Sequence, residues 1–264
     1  MDKKEALKII KFAPYDLEVL PDYFKKDKEV VLEAVKQDGE TLQYADDSLK
    51  KDKKFILRSV KKNGTALRYA DISLRKDKKI VLEAVKQWGY ALQYADISFK
   101  KDKKFILRSV KKNGTALRYA DISLRKDKEI VLEAVKTNGG ALEYADKSFK
   151  KDKKIVLIAV KQHFYALKYA DKSLKKDKEI VLEAVNQLGS AFALKYADKS
   201  FKKDKKILLI AVKQHGSALE YADKSLKKDK KFILEAVKQG GYAFCADDSL
   251  KNDPDILAMV NKKK

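Results

Sequence analysis

An aspartate recurs every 25 residues along this chain. It stands at 2, 27, 52, 77, 102, 127, 152 and 177, and the series continues at 204, 229 and 253. The step to Asp204 is longer because Ala191-Phe192 reads as a two-residue insertion, and the last step lacks one residue near Phe244-Cys245. This makes ten units and a closing half unit. The stretch Lys50–Lys78 is identical to Lys100–Lys128, so a block of two units has been duplicated. A fixed period of about 20–50 residues is the signature of solenoids and arrays, in which one small unit buries its apolar face on copies of itself.

With the aspartate numbered position 1, positions 4, 5, 6, 8 and 9 are apolar, as in Val30, Val31, Leu32, Ala34 and Val35. At about 100° per residue they cover roughly 200° of a helix, which needs neighbours on both sides. Aspartate is a good N-cap for that helix. The ten glycines all fall at positions 12–14, where a left-handed residue would end it. Positions 14–19, as in Thr65-Ala66-Leu67-Arg68-Tyr69-Ala70, then predict a second short helix. Asp-x-Ser at 20–22, as in Asp71-Ile72-Ser73, predicts a side-chain-stabilised turn into the next unit.

The three prolines (Pro14, Pro21, Pro254) lie in the terminal units, as atypical capping repeats require. No segment alternates with period two, and Gly and Pro total only 13 residues, which argues against turn-rich β folds. The expected fold is all-α, an α-solenoid of about ten stacked 25-residue two-helix repeats with atypical capping ends. It is expected to form one array over residues 1–264, with a cap-like unit at 2–26, core repeats at 27–228 and a C-terminal unit and half-unit cap at 229–264.

The recurring DKKFILRSVKKNGTALRYADISL resembles an uncharacterised tandem-repeat family found in bacteria, protists and large DNA viruses. The carrying elements are Asp52, the Ser59-Val60 pair, Gly64 and the group Leu67, Tyr69 and Ala70. The resemblance covers about residues 2–260. It is specific for the repeat and almost silent on activity; larger members join such units to other domains, some enzymatic, none of which is expected within these residues, so it carries no catalytic residue over.

Catalysis needs unlike groups converging at one place, whereas this chain repeats like groups along a line. His163 and His215 both fall at position 12 and read as surface turn residues. Cys245 takes the place of the position-18 tyrosine and reads as a small apolar substitute. One Cys and two His leave neither a disulfide framework nor a Cys/His zinc site, and the nucleotide-binding and zinc-protease motifs are absent. No cofactor, metal or small-molecule ligand is expected. The aspartates at position 20 read as turn formers, and the tyrosines at position 18, Tyr44 to Tyr221, as core residues with a tethered hydroxyl. No run reaches 18 apolar residues and Met1-Asp2-Lys3-Lys4-Glu5 does not open a secretory signal, so the expected compartment is a cytoplasm, the cell's own or that of a host.

The net charge is +22. Positions 24 and 25 carry much of it: Lys50-Lys51, Arg75-Lys76, Lys100-Lys101, Arg125-Lys126, Lys150-Lys151, Lys175-Lys176 and Lys202-Lys203. Stacking would align them into a cationic edge able to hold a polyanion. Variation concentrates at positions 12 and 14 of the inter-helix turn. There Trp88, Tyr90, His163, Phe164, Tyr165 and His215 are the candidate partner contacts, since exposed aromatics are typical anchors. Phe164 replaces the turn glycine, so that turn is expected to be built differently. The leading expectation is a non-enzymatic scaffold binding a protein with an acidic surface through these turns and the lysine edge. The alternative is a sequence-tolerant nucleic-acid binder using the same edge on phosphates, with an anionic membrane surface as a weaker third partner.

Overall fold

In the computed structural model, described over residues 1–187 and 192–261, the Asp52 carboxylate closes the start of a helix. Its Oδ1 accepts from the amides of Lys54 (2.8 Å) and Phe55 (3.0 Å). Caps of this kind recur, and the long helices follow them: α1 (Lys3–Phe12), α2 (Lys28–Gln37), α3 (Lys53–Lys62), α4 (Lys78–Gln87), α5 (Lys103–Lys112), α6 (Lys128–Thr137), α7 (Lys153–Gln162), α8 (Lys178–Val185), α9 (Lys205–Gln214), α10 (Lys230–Lys238) and α11 (Pro254–Asn261). Positions 4, 5, 8 and 9 are buried, as in Phe55, Ile56, Ser59 and Val60, while position 6 is only half-buried.

The second segment is a 3-10 helix rather than an α-helix over Gly64–Tyr69 and most of its counterparts, while Ala193–Tyr196 is α-helical. At Gly64–Tyr69 it runs six residues between two extended residues, Asn63 and Ala70, and i→i+3 bonds serve such short pieces. A third helical segment occupies the expected turn. Asp46 caps the short helix Asp47–Lys51, its Oδ1 accepting from the Ser48 amide (2.9 Å) and hydroxyl (2.6 Å). This piece is also α-helical at Ile97–Lys101 and Lys224–Lys227, and a single 3-10 turn at Leu74–Lys76. Each core repeat therefore has three helical segments instead of two.

Apart from Gly240, which follows the end of α10, the described glycines do not end the long helices by turning left-handed. Among the described residues only Gly240 has a positive φ, +109°. The α3 helix instead closes on Asn63 in extended geometry (φ −148°, ψ 117°). Gly64 is glycine because the next repeat lies on it: a Cβ there would collide with the Ala84 carbonyl oxygen, as one on Gly139 would with that of Ala159. Phe164 occupies this site with the same 3-10 helix (Phe164–Tyr169) and the same extended residue before it (His163, φ −160°, ψ 120°). That turn is thus not rebuilt. The difference falls on the next repeat, where α8 ends early on Asn186 in helical geometry (φ −72°, ψ −11°). The inserted Ala191 and the turn residues Leu188, Gly189 and Ser190 lie outside the described residues.

The described residues divide into two compact units, 1–137 and 138–264. Each is an all-α repeat solenoid, and no described residue is in a strand. Within a unit the long helices form one layer and the 3-10 helices another, with Leu67, Leu92, Leu167 and Leu219 fully buried between them. Successive repeats are also tied by backbone. Asp71 donates its amide to the Lys50 carbonyl (3.0 Å), Asp96 to Arg75 (3.1 Å) and Asp171 to Lys150 (2.9 Å). In the N-terminal repeat, exposed Glu5 stands where the core repeats bury Phe55 or Ile80, the polar outer face a capping unit needs.

Candidate interaction surfaces

The lysine edge divides into two roles. Every first member of the pairs, Lys50, Arg75, Lys100, Arg125, Lys150, Lys175 and Lys202, is half-buried. Most turn back onto their own repeat. Arg75 Nε donates to the Ala70 carbonyl (2.8 Å) and Arg125 to that of Ala120 (2.9 Å), while Lys100, Lys150 and Lys175 reach Gln93, Glu143 and Lys168 carbonyls (2.7, 2.7 and 2.6 Å). These carbonyls lie at the ends of 3-10 helices, where backbone acceptors lack partners. Burial lowers the pKa of Lys100, Lys150 and Lys175. Arg75, Lys100, Arg125, Lys150 and Lys175 are thus structural caps rather than free cations, while Lys50 pairs with Asp47 (3.3 Å).

The second members, Lys51, Lys76, Lys101, Lys126, Lys151, Lys176 and Lys203, are exposed. They sit beside carboxylates of position 20, with Lys76 Nζ 3.9 Å from Asp96 Oδ2. Hydrogen bonds from the Ser73 hydroxyl and amide hold the Asp71 carboxyl below the usual carboxylate range, with Lys51 adding to the effect. Position 2 behaves alike. Lys53 reaches Asp77 Oδ2 (2.6 Å), Lys103 reaches Asp127 (2.7 Å) and Lys153 reaches Asp177 (2.8 Å). Along the expected cationic edge the exposed lysines therefore stand beside carboxylates, forming a seam of mixed charge.

Position 12 also has a structural task. It ends the long helix and caps the 3-10 helix: Asn63 Oδ1 accepts from the Thr65 amide (3.1 Å) and hydroxyl (2.8 Å). His163 and His215 do the same through Nδ1, accepting from the amides of Tyr165 (3.1 Å) and Ser217 (3.3 Å). Trp88 makes no such cap bond. Its side chain instead meets Tyr90 edge-on (ring centroids 5.8 Å apart) and lies beside Tyr94 (6.3 Å).

From Trp88 a ribbon of rings runs over the 3-10 layer of the first unit. Tyr90 meets Tyr119 (5.9 Å), and the Arg118 guanidinium lies over both rings (5.4 and 5.6 Å). Arg68 lies over Tyr69 and Tyr94 (5.3 and 5.8 Å) while pairing with Glu40 (3.0 Å). The position-18 tyrosines are therefore half-buried ribbon members, not core residues. They stand three residues after a buried position, Ala66 for Tyr69 and Thr41 for Tyr44, yet keep part of the side chain at the surface. In the second unit His163 stacks on Phe164 (5.0 Å), and Tyr165 meets Tyr169 and Tyr196 (5.7 and 5.1 Å). His215 meets Tyr242 there (5.9 Å). The structure thus brings Trp88 with Tyr90, and His163 with Phe164 and Tyr165.

Sequence reasoning missed one row. Ile72, Ile97 and Ile122, at position 21 of three successive repeats, are 70%, 62% and 71% exposed. Other repeats place Asp47, Lys147 or Lys172 there, so the run of isoleucines was the available signal. Cys245 is half-buried, and burial raises its thiol pKa. Among the described residues no three His, Cys, Asp or Glu side chains gather as a metal site, and no helix is long and apolar enough to cross a membrane.

Overlapping windows of the chain, 2–50, 27–75, 52–100, 77–125, 102–150, 127–175, 152–202, 177–227 and 204–246, match a family described as a domain of unknown function, DUF4116. The chain belongs to the DUF4116 family. Each matched window spans about two structural repeats, so the DUF4116 unit corresponds to a pair of neighbours with their shared seam. No curated protein and no solved structure matches the chain.

Proposed function

We propose that this DUF4116 protein is a non-enzymatic scaffold that binds a protein partner with an acidic surface across the 3-10 layer. The ribbon of Trp88, Tyr90, Tyr94 and Tyr119 with Arg68 and Arg118 carries this reading. Rigid half-buried aromatics beside arginine are the composition of interface hot spots. The guanidinium groups, held over ring faces, present cations to an acidic chain without the ordering cost of free lysines. The lysines of position 25 add long-range attraction that speeds encounter. A non-enzymatic role fits the repetition of like groups along each unit.

Affinity capture from native cells after nuclease treatment tests it, comparing the wild type with a Trp88→Ala/Tyr90→Ala/Arg118→Ala variant. The expected result is one or more proteins retained by the wild type, displaced by an acidic competitor and lost from the variant. Equal capture by both chains, with the variant folded by circular dichroism, would remove the reading.

A further inference from the structure

The strongest uncompensated charge lies neither on the lysine seam nor on the aromatic ribbon. It lies on the face of α3, α4 and α5 turned away from the 3-10 layer. Helix α3 exposes Lys54, Arg58, Lys61 and Lys62, and α5 repeats this as Lys104, Arg108, Lys111 and Lys112. Between them α4 adds exposed Lys79 and Lys86 and half-buried Glu83, the one carboxylate on this face of the three helices. None of these ten cations makes an ion pair among the described residues. The flanking helices close the patch, since α2 carries Glu29 and Glu33 and α6 carries Glu129 and Glu133. A groove of about 390 Å³ runs between α4 and α5, lined by Lys79, Glu83, Lys86, Arg108 and Lys112 among others.

The arrangement is two parallel rows. Lys54, Arg58 and Lys62 follow at i, i+4 and i+8, so they line up along α3 at about 6 Å intervals. Lys104, Arg108 and Lys112 do the same on α5. Neighbouring helices pack about 8–10 Å apart, so with α4 between them the rows lie about 16–20 Å apart. Double-stranded nucleic acid presents two rows of phosphates, walling a major groove about 12 Å wide between their surfaces. Rings are absent from this face, and Leu57, Leu82 and Leu107 are half-buried between the helices. A protein partner would lack anchors here, whereas phosphate contacts need none.

We infer that the α3–α5 face is a site for the backbone of a nucleic-acid duplex, read without base specificity, one row of cations on each strand. This site does not depend on the aromatic ribbon, and either can fail alone.

The test is fluorescence anisotropy of the full chain with a labelled random-sequence duplex of about 24 base pairs across a salt series. Two fourfold charge reversals are compared. One is on the face, Arg58→Glu/Lys62→Glu/Arg108→Glu/Lys112→Glu. The other is on the seam, Lys51→Glu/Lys76→Glu/Lys101→Glu/Lys126→Glu. With six to eight phosphates contacted, the wild-type log–log salt slope should be about −5 to −7. The face variant should lose at least tenfold in affinity and about 3–4 of that slope. The seam variant should change both far less. A milder Arg58→Gln/Arg108→Gln pair, expected to reduce the slope by about 2, keeps the test decisive where reversal disturbs folding. Equal losses from face and seam variants overturn the site, as does absence of wild-type binding at about 50 mM salt. A single strand bound as tightly as the duplex overturns the two-row geometry. Tighter binding to anionic phospholipid vesicles at equal phosphate, lost by the same face substitutions, overturns the duplex in favour of a membrane surface.

Discussion

Lys53 Nζ lies 2.6 Å from Asp77 Oδ2, while Asp77 Oδ1 accepts the amides of Lys79 and Ile80 from its own helix. One carboxylate therefore caps its own helix and holds the preceding repeat. Asp127 and Asp177 are placed the same way, with Lys103 and Lys153.

This double use predicts acid sensitivity. The Lys28 hydrogen bond, then the Phe55 amide, hold the Asp52 carboxyl below the usual range; Lys103 does so first for Asp127, and Lys205 for Asp229. A carboxyl whose folded pKa is lowered contributes stability above its unfolded pKa, near 3.9, and loses it as pH falls through the folded value. Thermal melts should thus stay level from neutral pH to about pH 5 and drop progressively below about pH 4. The drop should be steeper than for an Asp52→Asn/Asp127→Asn variant. Parallel curves for the two chains would refute the role of these caps.

Two adjacent glycines separate close approach from backbone freedom. A Cβ at Gly139 would collide with the Ala159 carbonyl, whereas one at Gly140 comes only to 3.0 Å from the Asn138 side chain. Gly139→Ala should cost about 1–3 kcal/mol, as overpacking against backbone does. Gly140→Ala should stay within about 1 kcal/mol of the wild type, since alanine also narrows the unfolded ensemble. Urea denaturation measures both.

Ser59 and Ser109 bury hydroxyls that have no hydrogen-bond partner, at a position where Ala34, Ala84 and Ala134 are found. An unsatisfied buried hydroxyl costs about 1–3 kcal/mol. Ser59→Ala and Ser109→Ala should each stabilise the chain by about 1 kcal/mol, and being two repeats apart they should add. Differential scanning calorimetry would detect the shift, and a lower Tm would refute the account.

Trp88 gives up a cap for a ring. Trp88→Asn should be more stable than Trp88→Ala by about 0.5–2 kcal/mol, because asparagine restores the bond that Asn63 makes. Both should lose the protein partner equally. Partner binding that survives in Trp88→Asn would place the anchor elsewhere.

The period, the Asp caps and the Asp-Ser contact were legible because each is local: side chain to backbone within three residues. What was not legible depended on the neighbouring repeat. Gly64 looked like a left-handed stop, and only the Ala84 carbonyl above it shows why a side chain is excluded. Lys100 and Lys101 look alike in sequence, yet one turns back to the Gln93 carbonyl and the other stays in solvent. The position-18 tyrosines stand at helical spacing from buried residues, yet they end the second segment and meet rings of the neighbouring repeat, Tyr90 against Tyr119 and Tyr165 against Tyr196, which spacing within one repeat does not reveal. The cationic face of α3 and α5 was present in the text as two identical decapeptides, hidden because lysine is common everywhere along the chain.

Lys53 with Asp77, Lys103 with Asp127 and Lys205 with Asp229 are the same handshake at different junctions. A module copied into the middle of such a chain arrives with a hand for each neighbour and leaves no broken joint behind. The identity of Lys50–Lys78 with Lys100–Lys128 is what such a gene can acquire by unequal recombination in one step, keeping a foldable product throughout. Length is then a property such a chain can change in whole modules without unmaking any junction.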